Sequence, residues 1–184
     1  MEAIARCCQA VTEGTAFIGR RAHRVFGAAA WCCSPPAGGG TEVNGLYLLD
    51  TNVISELRLP RPHGAVLAWF ESVADSDLHM SAVSLGEIQA GIELTRDQDA
   101  TKAAEIEQWA DLVAASYNVL PMDAATFRHW AKLMHRRSDT LYEDAMIAAT
   151  ALRHQLKVVT RNVADFSDFG VELFNPFESV LPKK

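Results

Sequence analysis

The sequence predicts an α/β fold with a mostly parallel sheet of four to five strands and helices on both faces. Three observations carry this expectation. Short apolar runs bounded by polar residues, LYLL at 46–49 and KVVT at 157–160, read as strands buried on both faces. Longer stretches place apolar residues at helical spacing, as Ile106, Trp109 and Val113 do. The two kinds of segment alternate, the order that builds parallel sheets through helical crossovers. At 184 residues and 49% hydrophobic, the chain can bury one sizeable core. It has no apolar run near the roughly 20 residues of a membrane span.

The elements follow in order. After the first strand, 51–57 is a short helix stopped by the prolines of LPRP. GAVLAWFESV at 64–73 is a helix expected to turn Leu67, Ala68 and Phe70 inward. A second strand spans 78–83, and Ser84 is placed to cap a helix through 94, with Glu87 three residues on as in a capping box. A helix over 99–115 and a strand at 119–120 come next. Asp123 caps a helix reaching about residue 137, and an alanine-rich helix covers 141–154. The KVVT strand and a last short strand near 171–174 complete the set. Trp69, Trp109 and Trp130 are expected in the core or at an interface.

The first 45 residues differ from the rest. They hold all four cysteines, as the vicinal pairs Cys7-Cys8 and Cys32-Cys33, and end in the linker-like SPPAGGGTE. Vicinal pairs do not match the C-x₂₋₄-C spacing of zinc sites. Arg20-Arg21 before an apolar stretch has the outline of a twin-arginine export signal, but its flanks fit poorly. The favoured expectation is a disordered or mis-started leader over 1–45, with the domain proper over 46–184. The absence of cysteine beyond residue 45 suits a reducing cytoplasm.

The charge distribution narrows the function. With 17 basic against 23 acidic residues, the net charge of −6 argues against holding nucleic acid by bulk charge. It leaves open an enzyme that works on nucleic acid through metal ions and a local basic face. The acidic residues fall where a parallel sheet binds ligands, beyond the carboxyl ends of its strands. Asp50 ends the first strand, Glu87 follows the second, Asp144 opens the alanine-rich helix, and Thr160, Asn162 and Asp165 follow the KVVT strand. Each has a bland alternative: Asp50 as a helix cap, Glu87 as the capping-box acid, Asp144 as an acid near a helix N-terminus, Asp165 as a loop residue. Together at strand ends they read better as a cluster. Several carboxylates in one place cannot all ionise without a counter-charge, which a hard divalent cation supplies. Such a cation suits phosphodiester hydrolysis. A HAD-like phosphatase also starts from an aspartate ending a first strand, but needs a second acid two residues on. Position 52 is Asn.

Four blocks, LLDTNVISEL, SAVSLGEIQAGI, EDAMIAATA and VVTRNVADF, together with the closing GVELFNPFE, resemble the PIN-domain family over about residues 46–182. The likeness is closest to VapC-type and FitB-like toxins of toxin–antitoxin pairs. It implies a PIN-like three-layer α/β/α sandwich and a Mg²⁺- or Mn²⁺-dependent endoribonuclease. It puts the core acidic positions, and the metal, on Asp50, Glu87 and Asp144. The family's frequent fourth acid falls on Asn162, 18 residues beyond Asp144. The candidate replacements are Asp165, three residues further, or a water bridging from Asn162. An amide brings an oxygen ligand without charge and would hold a second metal weakly, so one well-held ion on Asp50 and Asp144 is expected rather than two. Thr51, Asn52 and Thr160 are expected helpers. The resemblance also implies an RNA substrate, a homodimer and a cognate antitoxin that blocks the acidic site. A non-catalytic PIN-like scaffold binding RNA or protein is the alternative, kept open by Asn162. On 127–138, Arg128, Lys132, His135 and Arg136 recur at spacings of three and four, either as a grip on RNA phosphates or as a solvated helix face.

Overall fold

Five strands form one sheet in the order β3-β2-β1-β4-β5, and every neighbouring pair is parallel. The computed structural model describes residues 45–178, so the expectations placed on 1–44 lie outside the described residues. β1 (Tyr47–Leu49) leads into α1 (Thr51–Glu56) and α2 (Gly64–Ser72). β2 (Leu78–Ser81) leads into α3 (Ala82–Arg96) and α4 (Ala100–Ser116). β3 (Asn118–Leu120) leads into α5 (Ala124–Leu133) and α6 (Tyr142–His154). β4 (Lys157–Val159), α7 (Val163–Phe166) and β5 (Leu173–Phe174) follow. The predicted class therefore holds, with β1, β2, β4 and β5 one or two residues shorter than expected and β3 one residue longer.

Alternation along the strands sorts the core into two layers. Tyr47 and Leu49 of β1 join Leu78, Met80 and Val159 on one face, packed with Val53, Phe70, Ile92 and Trp109. Leu48 and Val158 face the other way, onto Ala145, Ile147, Ala148, Ala151 and Phe166. The small residues of α6 let it lie close against the sheet. Among the described residues no helix is long and apolar enough to cross a membrane.

Two local expectations are corrected. In α2 the buried face is Ala65, Val66, Trp69 and Phe70, while Leu67 and Ala68 are half-buried. Trp69 decides this. It meets Tyr47 edge-on at 5.3 Å, Phe70 at 5.0 Å and Phe174 at 5.3 Å, and this aromatic cluster claims the interior. Trp109 is buried as expected, and Trp130 is half-buried.

The second correction bears on the site. α3 starts at Ala82, and its cap is Ser81, whose Oγ accepts the Val83 N–H at 3.2 Å. Ser84 lies inside the helix, fully buried, with a hydroxyl that has no hydrogen-bond partner among the described residues. Glu87 thus sits in the second turn and is not the acid of a capping box. Ser81→Ala is expected to cost about 1 kcal/mol of stability, whereas Ser84→Ala removes an unpaired buried hydroxyl and costs little or nothing. Thermal unfolding of the two variants checks this; equal losses would contradict the assignment of the cap.

Candidate active site

The strand order places a topological switch between β1 and β4. The chain leaves β1 for β2 on one side and later returns to β4 on the other, and in open parallel sheets the carboxyl ends of two such strands are where ligands bind. Asp50 stands at those ends. Its own N–H donates to the Val159 carbonyl at 3.0 Å, continuing the β1–β4 ladder by one residue. The carboxylate is buried, and three donors hold it: the Thr51 N–H on Oδ1 at 2.6 Å, and Asn52 Nδ2 at 2.6 Å and Thr160 Oγ1 at 2.7 Å on Oδ2. Asp50 is therefore a helix cap, as its bland reading had it, but more than a cap. Thr160 reaches it from the end of β4, and Asn52 Oδ1 in turn accepts the Arg161 N–H at 3.1 Å.

Glu87 reaches the same site from α3. Thr51 Oγ1 donates to its Oε2 at 2.6 Å, so adjacent residues 50 and 51 link two acids of the cluster. Asp144 comes from the first turn of α6, half-buried. Asn162 enters only through its backbone, whose N–H donates to Thr160 Oγ1 at 2.9 Å. Asp165, on α7, is exposed, yet its charge acts on both Asp50 and Asp144. Thr51, Asn52 and Thr160, expected as helpers, all make these contacts. Glu143 was not singled out from the sequence, although its charge acts on Glu87 and Asp144. Its only signal was its place beside Asp144 at a helix start.

Crowding leaves an electrostatic signature. Burial pushes the Asp50 carboxyl up to about 6, against the pull of its three hydrogen bonds, with Asp165 adding to the rise. Glu87 is pushed up to about 7, first by burial and then by the charges of Asp50, Asp144 and Glu143, with the Thr51 hydroxyl opposing. Asp144 rises to about 6 through burial, then Asp50, Asp165 and Glu143. All three want a positive charge nearby.

Residues 47–171 match the PIN domain. The chain belongs to that family. Over 138 residues this PIN domain is 33% identical to a VapC ribonuclease of Sinorhizobium fredii, spanning 72% of this chain and 99% of that one. It is 34% identical over 140 residues to the toxin FitB of Neisseria gonorrhoeae, again across 72% of this chain and 99% of the relative. Among solved structures it is similar to FitAcB from Neisseria gonorrhoeae, with a TM-score of 0.64, 29% identity, and 72% and 99% of the two chains covered.

The oxygen-only donor set of this PIN domain, its carboxyls raised first by burial and then by their neighbours' charges, suits a hard divalent cation. Among the described residues, no three His, Cys, Asp or Glu side chains converge closely enough to ligate one ion together. The fit is thus to a cation that keeps water in part of its shell, as Mg²⁺ does. Thr160→Val tests the support around Asp50. It removes the buried donor to Oδ2 and is expected to weaken Mn²⁺ binding about 10- to 100-fold, the usual cost of losing a group that orients a metal ligand. Titration calorimetry reads the change, and unaltered affinity would show that Thr160 only packs.

Proposed function

We propose that the chain is a metal-dependent endoribonuclease and the toxin of a toxin–antitoxin pair. The observation that carries this is the Asp50–Thr160 bond at the β1–β4 switch, around which Glu87 and Asp144 crowd without a cationic partner among the described residues. Ribonuclease and toxin are what the relatives from Sinorhizobium fredii and Neisseria gonorrhoeae are called, at similarity spanning nearly the whole of each. The domain proper is taken as 46–184, acting in the cytoplasm where RNA is its substrate.

Asp50 and Asp144 would hold the ion, with Glu87 joined to Asp50 through Thr51. When bound, Mg²⁺ or Mn²⁺ supplies charge neutralisation at the phosphate and lowers the cost of ionising an attacking water. Glu87, with a carboxyl near 7, is matched to taking the proton as that water attacks phosphorus and the bond to the leaving ribose oxygen breaks. That oxygen takes a proton from solvent. Asn52 and Thr160 hold Asp50 in one orientation throughout. Asn162 carries no charge where the family's frequent fourth acid would stand, which supports a single strongly held ion. The toxin reading adds a cognate antitoxin and a second copy of the chain as partners.

The test is cleavage of total tRNA and rRNA by the full chain with Mg²⁺ or Mn²⁺, and with EDTA. Metal-dependent cutting is the expected result. No cutting, together with no Mn²⁺ binding by calorimetry, would favour the scaffold reading, which the amide at Asn162 otherwise supports.

A further inference from the structure

A site ringed by carboxylates repels the phosphates of the substrate proposed above, so RNA needs a cationic contact at the rim. Arg161 is placed to give one. It follows Thr160 directly, and its N–H is held by Asn52, the same amide that holds Asp50. The residue is exposed, and its guanidinium lies over the ring of Phe177, 4.1 Å from the centroid. Phe177 is itself fixed. It packs against the core, meets the His63 ring at 5.5 Å, and its N–H donates to Asn175 Oδ1 at 3.0 Å.

Two other arginines are committed elsewhere. Arg96 is shared between Glu93 and Glu107, and Arg137 bonds Asp168 while lying over Phe169. Arg161 makes no ion pair among the described residues; an aromatic face orients it instead. Stacking on a ring restricts a guanidinium without using its N–H donors, which stay in the plane and match the oxygens of a phosphate. An ion pair to a carboxylate would have consumed them.

We infer that Arg161 is a positioning residue that clamps an RNA phosphate next to the scissile one, with Phe177 as the platform fixing its direction. This rests on the ribonuclease reading. Arg128, Lys132, His135 and Arg136, on and just beyond α5, are exposed but have no comparable tether to the residues around Asp50.

The test measures binding of a single-stranded RNA oligonucleotide to the full chain carrying Asp144→Asn, with and without Arg161→Gln, across a salt series. Arg161→Gln is expected to weaken binding about tenfold and lower the salt slope by about 1. In the active chain it should raise KM far more than it lowers kcat. Arg161→Lys should keep the slope and lose part of the affinity, as should Phe177→Leu, while Arg96→Gln leaves both unchanged. Mn²⁺ binding and thermal stability of Arg161→Gln should match the parent. Equal affinity and slope in Arg161→Gln would overturn this inference alone, as would a loss of Mn²⁺ binding or stability, which would make its role structural. If the parent chain neither binds nor cuts RNA, this inference and the ribonuclease reading fall together.

Discussion

Asp144→Asn is expected to lower the proposed metal-dependent RNA cleavage about 10³-fold while leaving a folded chain that is no less stable than the parent. The two halves of this expectation have separate causes. Charge stabilisation by a bound cation contributes several kcal/mol to a phosphoryl transition state, and each 1.4 kcal/mol is about a factor of ten in rate. Losing one of the carboxylates that would hold the ion forfeits most of that. Stability is spared because no hydrogen bond among the described residues tethers Asp144; its environment is burial plus the like charges of Asp50, Asp165 and Glu143. An amide of the same shape relieves repulsion at neutral pH. Asp50→Asn is different. Its Oδ2 accepts from both Asn52 and Thr160, and an NH₂ in that place would face the Asn52 amide donor. Asp50→Asn is therefore expected to be equally inactive but not to gain stability. Cleavage assays with thermal unfolding of both variants separate the cases, and wild-type cutting by Asp144→Asn would remove the site from Asp144 altogether.

How much of this could be read from the chain varies residue by residue. The strands at 46–49 and 157–160 were legible because burial on both faces demands unbroken apolar runs, and helical spacing did the same for α4 and α6. The gathering of Asp50, Glu87 and Asp144 was legible because the carboxyl ends of parallel strands lie at one edge of the sheet and acids follow them. The start of α3 was not. Ser81 and Ser84 both have the chemistry of a cap, and what separates them is tertiary: Thr51 stands opposite Glu87 and takes its carboxylate. Spacing pointed to Asn162, whereas the charge that acts on the site comes from Asp165, one helical turn further along α7. Nor could sequence pair Arg161 with Phe177, because that contact depends on where the segment after β5 comes to rest.

The same crowding makes the fold sensitive to pH, and the sign is fixed by the raised carboxyls. Asp50, Glu87 and Asp144 move from 3.8, 4.5 and 3.8 to about 6, 7 and 6. The folded chain thus holds protons more tightly than the unfolded one. Their contribution is full below about pH 4 and is lost as pH rises through 6 and 7. Asp50, the most buried, accounts for about 3 kcal/mol of this loss, or roughly 10 °C in Tm for a domain of this size. Asp165 and Glu143 face the same cluster from α7 and α6 and steepen the loss. A divalent cation that binds the ionised cluster reverses it by mass action, by about 2.7 kcal/mol at a hundred times its Kd. In metal-free buffer the Tm of the full chain should therefore fall between pH 5 and pH 8. Mn²⁺ should restore it at pH 8 and do little at pH 5, where protons already occupy the site. Asp144→Asn should flatten both effects. A Tm that rises over the same interval, or Mn²⁺ stabilisation as large at pH 5 as at pH 8, would mean that the three carboxylates do not share one field.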